Sequence, residues 1–332
     1  METRLYATKD LESLARLIDI HVSVVPPFLP VGIGGTRAIL DARDPWDAHY
    51  PEGGFHSVCE ETPCVFGLEG SGATLQASPL ESPKAILRAT ARIRRIDAVS
   101  GATGPGQCFI DWLAVDPALP ESGGPLIAAI EAKAREWGCP VAAVEGRNHL
   151  GAGWFGIPEV WSHLLDRFEA AGWDRRDPWL ILYGAMPADR RDGEGWEFRW
   201  DVNEKAGEWG LTAFRDGRKA GECMVWGIPS HLAGVPGMEK WINLEYVGVE
   251  EEFQRRGLAR ALVLEQARFH QERGASMASL AGPAGRGLAL PTLGVKNFIL
   301  MTEPDNHAAR GLFESLGFAY GPVCWQFRKR LR

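Results

Sequence analysis

The segment Val249-Glu-Glu-Glu-Phe-Gln-Arg-Arg-Gly-Leu-Ala-Arg260 joins the end of a predicted strand to the start of a predicted amphipathic helix. Gly257 lets the backbone approach a ligand, and the first helical turn presents N–H groups that lack acceptors within the helix. The helix dipole favours negative charge at that end, and Arg255, Arg256 and Arg260 add positive charge around it. The segment predicts an anion site suited to pyrophosphate. The alternative is an arginine-rich turn that is only solvated.

A second informative helix lies near the end of the chain. Its apolar residues are spaced zero, three, four and seven, which predicts one apolar face; they are Ala309, Leu312, Phe313 and Leu316. Asp305 or Asn306 is expected to cap its start and Gly317 its end. A short apolar run, Phe298 to Thr302, predicts a strand before it.

The chain contains an internal repeat. If Val115 is laid on Val249, Asp111 falls on Glu245, Trp112 on Tyr246 and Gly123 on Gly257 without a gap; further on, Phe168 and Gly172 match Phe313 and Gly317. The second copy is about eleven residues longer in between, and we expect the extra length within 275–297. The polar stretch from Ala185 to Glu194 is typical of a linker. We therefore expect two domains, 1–186 and 187–332.

The first half is expected to open with a helix from about Leu11, capped by Asp10. In the second half, the dipeptide Asp216-Gly217 between two strand candidates, Trp209 to Phe214 and Lys219 to Trp226, favours a tight hairpin. Each half should be a mixed, mostly antiparallel sheet flanked by helices, in the α/β or α+β class.

Composition excludes several functions. The chain has 332 residues, 45% of them hydrophobic, and a net charge of −7, which argues against nucleic-acid binding. No signal peptide or membrane span is indicated, so we expect a cytoplasmic protein without a membrane partner. Six scattered cysteines lack metal-site spacing and are expected to be reduced; no metal is predicted. Gly32, Gly34 and Gly35 are interpreted as a loop, and hydrolase and zinc-protease motifs are absent from the sequence.

The motifs together resemble the GNAT superfamily of N-acetyltransferases. In that family a Gln/Arg-x-x-Gly-x-Gly/Ala loop binds the coenzyme A pyrophosphate, and Gln254, Gly257 and Ala259 stand at those positions. The helix that begins near Asn306 resembles the second signature of the family. The likeness covers roughly residues 196–331 and, more weakly, the first half. There the loop residues are replaced by Pro120, Glu121, Ser122 and Pro125, which implies a degenerate copy that supports the second or shapes its substrate cleft.

The resemblance implies acetyl coenzyme A as cosubstrate and direct attack of a neutral amine on its thioester. The pantetheine arm should lie along the strand before the loop, and Asn306 either bonds that arm or only caps its helix. The residues expected to contact the coenzyme are Val247, Gly248, Val249, Gln254, Arg255, Arg256, Gly257, Leu258, Ala259, Arg260, Asn306, Ala309 and Phe313.

Glu245 is the candidate base, acting directly or through a water, because it lies two residues before Val247 and points to the same face. A backbone N–H near Val247 would stabilise the oxyanion. Since Asp111 holds the matching place in the first copy, the acid is alternatively structural. Many relatives have a tyrosine where this chain has Phe313, so the general acid is open between Tyr246, Tyr320 and water.

Other residues have no assigned role or a divided interpretation. We assign nothing to His231, His270 or His307. Trp226, Trp241 and Trp325 either line a substrate pocket or pack in the core, and the loop 281–290 is either a substrate lid or a surface excursion.

The leading hypothesis is an acetyl coenzyme A dependent N-acetyltransferase acting on a primary amine of a small molecule or peptide. The tandem arrangement is also similar to that of mycothiol synthases. The rival hypothesis is a non-catalytic sensor of acyl coenzyme A. The acceptor, the acyl length and the oligomeric state are not predicted.

Overall fold

The computed structural model describes residues 1–26, 30–41, 56–68, 85–97, 106–145, 155–188, 195–204, 207–228, 235, 237–273 and 295–331. His231, the loop 281–290, most of the predicted insertion and most of the predicted linker lie outside these residues. The α-helices are α1 Leu11–Val22, α2 Gly32–Asp41, α3 Gly123–Glu136, α4 Ser162–Ala170, α5 Leu258–Arg273 and α6 His307–Ser315.

The strands of the first half are β1 Glu2–Leu5, β2 His56–Glu61, β3 Pro63–Leu68, β4 Ala85–Asp97, β5 Gln107–Val115, β6 Val141–Val144, β7 Ile157–Pro158 and β8 Asp174–Ala185. Those of the second half are β9 Glu197–Asn203, β10 Glu208–Arg215, β11 Arg218–Trp226, β12 Trp241–Val249, β13 Asn297–Thr302 and β14 Ala319–Arg330. The described residues thus place strands and helices in both halves, as the α/β interpretation predicts.

The strands form one continuous sheet, in the order β1-β3-β4-β5-β6-β14-β8-β13-β12-β11-β10-β9, with β2 against β4 and β7 against β14. The pairs β5 with β6 and β12 with β13 are parallel, and the other pairs are antiparallel. The last strand of each half pairs with a strand of the other half, and we call this exchange the crossover. β14 pairs with β6 of the first half, and β8 pairs with β13 of the second. The division at residue 186 therefore separates two sequence copies that share their central strands.

The packing follows the same crossover. One apolar core lies mostly in the first half but includes Ile299 of β13 and Phe327 of β14. The other lies mostly in the second half, under α5 and α6, but includes Leu182 of β8. Each half therefore buries apolar side chains of the other, and this burial favours the tandem arrangement.

Most local predictions are confirmed. Asp216 and Gly217 both have positive φ, 52° and 77°, as a two-residue hairpin turn requires, and they join β10 to β11. Asn306 caps α6 by accepting from the Ala309 N–H at 3.0 Å, and Gly317 follows the helix with a φ of 84°. All five cysteines among the described residues with side chains placed are free and buried.

Two local predictions are wrong. Asp10 precedes α1 but makes no side-chain cap; instead its carboxylate binds the Arg4 guanidinium at 2.7 Å and the Ala7 N–H. This ion pair lowers the pKa of Asp10. The segment from Gly32 is a helix, α2, and not a loop, because the distant Asp19 carboxylate accepts from the Gly32 N–H at 3.0 Å and satisfies its start.

No helix among the described residues is long and apolar enough to cross a bilayer.

Candidate active site

The parallel strands β12 and β13 diverge and leave a cleft between them. They pair only where Trp241, Ile242 and Asn243 face Asn297, Phe298 and Ile299. From Leu244 onward β12 is bonded to β11 alone among the described strands. The cleft that opens there has a volume of about 710 Å³ and is bounded by β12, β13 and the N-terminal ends of α5 and α6.

A β-bulge lies where the strands begin to part. Tyr246 faces Met224 on β11 and Leu244 faces Val225, so Glu245 has no residue opposite it. Bulges re-aim a side chain next to a functional site. Glu245 lines the cleft, and its Oε2 accepts from the Asn243 Nδ2 at 2.7 Å. Because Asn243 is buried, it holds the carboxylate at the base of the cleft.

Tyr246 also lines the cleft and is half exposed. Its ring lies over Gly248, where a Cβ atom would overlap the phenol hydroxyl. On the other side, a Cβ at Gly221 of β11 would stand 2.6 Å from the Gly248 carbonyl oxygen. Two glycines therefore allow the close stacking of Tyr246 on the strand and of β11 beside it.

The loop after β12 turns sharply into α5. Arg255 and Gly257 have positive φ, 59° and 79°, and only the glycine adopts this conformation without strain. The Gln254 Nε2 donates to the Val249 carbonyl at 3.2 Å, so this side chain closes the loop on the strand. Since α5 begins at Leu258, its first N–H groups face the cleft side of the loop.

The three arginines of the loop differ in position. Arg255 and Arg260 line the cleft, and Arg260 also reaches the end of α6, where it donates to Ser315 at 3.3 Å. Arg256 is not among the lining residues; its guanidinium lies over the Phe253 ring at 5.6 Å. The positive charge in the cleft therefore comes from Arg255, Arg260 and the helix terminus.

The far wall of the cleft is the face of α6. Asn306, Ala309 and Phe313 all line it. The side chain of Asn306 is engaged as the helix cap, and Phe313 is buried against Phe318 with ring centroids 5.2 Å apart. A phenyl group at position 313 offers no proton to the cleft.

The cleft thus gathers most of the residues that the sequence indicated. Those that line it are Glu245, Tyr246, Val247, Val249, Gln254, Arg255, Gly257, Leu258, Ala259, Arg260, Asn306, Ala309 and Phe313. Gly248 and Arg256 adjoin it without lining it. Tyr320 lies elsewhere, where its hydroxyl contacts Glu314 and Arg310. Among the described residues, no group of three potential ligands could hold a metal ion.

Among the lining residues that sequence reasoning missed are Trp179, Met301 and Glu303. Trp179 belongs to β8 of the first half, and only the strand crossover brings it to this cleft. No local pattern signals such a contribution. Of the three tryptophans singled out earlier, none lines the cleft, and His270 is buried on α5 beside Trp209.

The first half has the same strand divergence but fills it. β5 and β6 pair only near Cys108 and Phe109. Beyond them, the Val115 N–H donates to the His21 Nε2 at 3.2 Å, and the Val115 carbonyl accepts from the His163 Nε2 at 3.2 Å. His21 is therefore unprotonated at Nε2, the nitrogen that accepts from Val115.

The histidine pair is packed with further side chains. His21 donates from Nδ1 to the Leu17 carbonyl at 3.1 Å, and Trp161 packs edge-on against its ring at 5.0 Å. Burial lowers the pKa of His21 to about 4 and also lowers that of His163. Histidine side chains thus satisfy the backbone N–H and carbonyl of Val115, the counterpart of Val249.

Asp111, the counterpart of Glu245, is also a bulge residue, since Arg92 faces Trp112 and Ile93 faces Ile110. Its carboxylate is buried and bound by the Arg94 Nε at 2.6 Å. The shared bulge supports the internal alignment, whereas the surroundings of the two acids differ.

Comparison with known proteins identifies the fold. Residues 173–283 match the acetyltransferase (GNAT) family, a span that includes β12, the loop and α5. No curated protein sequence matches significantly.

Three solved structures share the fold. A tandem GNAT protein from the clavulanic acid biosynthesis pathway is 14% identical with a TM-score of 0.57, over 100% of this chain and 98% of that one. A GCN5-related N-acetyltransferase from Sphaerobacter thermophilus is 14% identical with a TM-score of 0.58, over 100% and 96%. A glucosamine N-acetyltransferase region of a fungal multi-domain β-N-acetylglucosaminidase is 11% identical with a TM-score of 0.60, over 99% of this chain and 38% of that one. The chain therefore has the fold of tandem GNAT proteins, and its residues 173–283 match the GNAT family.

Proposed function

We propose that the chain is an N-acetyltransferase that moves an acetyl group from acetyl coenzyme A to a primary amine in the cleft of the second half. The observation that carries the proposal is the cleft itself. It joins a strand edge, Leu244 to Val249, that pairs with β11 alone among the described strands, a helix N-terminus with two arginines, and a carboxylate at its base.

The chemistry follows from these positions. The pyrophosphate would bind the first turn of α5 with Arg255 and Arg260, and the pantetheine arm would lie along the cleft side of β12 as a further strand would. The GNAT fold supports acyl transfer in general; the acetyl group and the amine are our proposal.

In the reaction, Glu245 accepts a proton from the ammonium group of the acceptor, directly or through a water. The amine nitrogen then attacks the thioester carbonyl carbon, and a backbone N–H near Val247 stabilises the oxyanion. As the C–S bond breaks, the nitrogen releases its second proton to water and becomes an amide, and the departing thiolate takes a proton from Tyr246 or from water. Tyr246 is the nearer candidate, since it lines the cleft and Tyr320 does not.

A non-catalytic sensor of acyl coenzyme A is the second candidate, and the observation that favours it is the buried phenyl group of Phe313 in the cleft wall. The two are separated by turnover. Purified protein is mixed with acetyl coenzyme A and a panel of primary amines, and free thiol and acetylated amine are quantified. Amide formation supports the enzyme, and coenzyme binding with no amide and no thiol release supports the sensor. A mycothiol-synthase-like activity would require acetylation of an amine that also carries a thiol.

A further inference from the structure

The first half contributes one residue, Trp179 of β8, to the lining of the cleft. In the first half, α1 and α2 lie between β1 and β2, whereas in the second half only residues 204–207 separate β9 from β10. The second half therefore carries no helices of its own at that point in the repeat.

Trp179 and Met301 together form one wall of the cleft. Both line the cleft, and Trp179 packs on Phe155 with ring centroids 5.4 Å apart and an angle of 35° between the planes. The Phe155 N–H also contacts the Met301 sulfur at 3.1 Å. Phe155 thus backs both lining residues and fixes their position against the cleft.

The segment that carries Phe155 is held tightly on the central strands. Gly156 has a φ of 75°, and a Cβ there would overlap the Trp325 carbonyl oxygen. The next two residues, Ile157 and Pro158, pair with β14. Because β14 pairs in turn with β8, the strand of Trp179, this wall is a rigid feature of the crossover.

The cleft is lined by charges of both signs. The lining cations, Arg255 and Arg260, both belong to the loop and first turn of α5. The lining carboxylates are Glu245 on β12 and Glu303, which follows Thr302; Thr302 pairs with Leu180, the residue next to Trp179. A cleft lined by an indole ring and two carboxylates favours a cation with an apolar body.

We infer that the acceptor is a primary amine carrying an aromatic group, with its nitrogen at Glu245 and its ring against Trp179. This inference rests on the proposed acetyltransferase function. It makes Trp179, a residue of the first half, a specificity-determining residue for a reaction in the second. Polyamines and amino sugars lack the aromatic ring that Trp179 would contact.

The test compares phenethylamine, putrescine and glucosamine as acceptors with the full-length protein and acetyl coenzyme A. We expect kcat/KM for phenethylamine to exceed the other two at least about tenfold. Trp179→Ala should raise KM for phenethylamine about tenfold, while Trp179→Phe, which keeps an aromatic face, should change it less than about threefold. The matched control is Trp137→Ala, which removes an indole at the end of α3, outside the cleft.

Calorimetric binding of acetyl coenzyme A to each variant checks that the coenzyme half of the site is intact. If coenzyme binds but the aromatic amine is not preferred, or Trp179→Ala leaves its KM unchanged, the inference is overturned and the proposed function stands. If acetyl coenzyme A does not bind the wild-type protein, the proposed function fails and the inference fails with it.

Discussion

The gap between β5 and β6 and the gap between β12 and β13 have the same geometry but different contents. In both, a parallel pair parts after two or three residues and an acidic residue stands in a bulge. In the first gap, His21 and His163 bond the backbone N–H and carbonyl of Val115. We call these two side chains the histidine plug and this gap the plugged gap. In the second, the edge leading to Val249 lines an open cleft. The backbone groups left where two strands part must be satisfied by a ligand, by water or by the protein's own side chains.

The sequence explains the difference residue by residue. Extending the match of Phe168 with Phe313 back along the helix places His163 on Ala308 and Trp161 on Asn306. Ala308 and Asn306 line the open cleft. The other plugging residue, His21, lies on α1, which has no counterpart between β9 and β10.

The largest expected effect concerns the two bulge acids. Glu245→Gln should lower kcat at least about a hundredfold, because the general base is lost, with coenzyme affinity nearly unchanged. Steady-state kinetics with acetyl coenzyme A and an accepted amine measure the change. An unaltered kcat would remove Glu245 as the base.

Asp111→Asn is the matched control for this substitution. It should leave kcat unchanged but lower the free energy of unfolding by about 3 kcal/mol, because Arg94 loses the full charge of its buried partner. Urea denaturation of the variant and of wild type measures this difference in the free energy of unfolding. A large fall in kcat with normal stability would contradict the structural role of Asp111.

The next prediction concerns the transfer of one histidine of the plug to the cleft of the second half. Ala308→His places an imidazole in the second cleft where the first half has His163, and coenzyme affinity should fall about a hundredfold because the cleft is overfilled. Ala308 is exposed, so the fold should persist. Ala308→Ser at the same site should bind nearly as wild type. Equal affinity of the histidine variant would show that the first gap is closed for another reason.

Local features of the fold could be predicted from the sequence, whereas long-range features could not. The hairpin at Asp216, the helix from Asn306 and the loop at Gly257 were predictable because each depends on residues close in the sequence. The loss of positive charge in the loop led to the hypothesis that the first copy is degenerate, which stays a prediction.

The remaining features depend on contacts far apart in the sequence. The crossover of β8 and β14 leaves no local pattern, and with it Trp179 was missed as a cleft residue. The start of α2 was missed because its acceptor, Asp19, lies on another helix. The histidine plug was missed for the same reason, since His21 and Val115 are 94 residues apart.

The buried His21 in the plugged gap should make the stability of the protein depend on pH. Since the pKa of His21 is lowered to about 4 in the fold, the folded protein excludes a proton that the unfolded chain binds below its ordinary pKa. This contribution is fully present above about pH 6.5 and is lost as the pH falls toward 4. Between pH 7.5 and 5 it should cost wild type on the order of 2 kcal/mol.

His21→Gln removes the titrating group. Its free energy of unfolding should therefore fall less over the same pH interval than that of wild type, as measured by urea denaturation at each pH. Parallel losses in the two proteins would show that His21 is not the proton-linked group.

The smallest expected effect concerns the coenzyme loop. Arg255→Glu should weaken acetyl coenzyme A binding about tenfold at low salt, and the difference from wild type should shrink as salt is added. Arg256→Glu should have a smaller effect, because Arg256 lies over Phe253. Arg199→Glu, on exposed β9, is the control for net charge. Similar losses in all three variants would indicate a general charge effect.

The central claim is that the chain has one working cleft, and the number of coenzyme molecules bound per chain tests it most directly. Calorimetric titration of acetyl coenzyme A into the full-length protein should give one site per chain, and Ala308→His should abolish or greatly weaken that site. Two sites, or one site that Ala308→His leaves intact, would contradict the assignment of the plugged and open gaps.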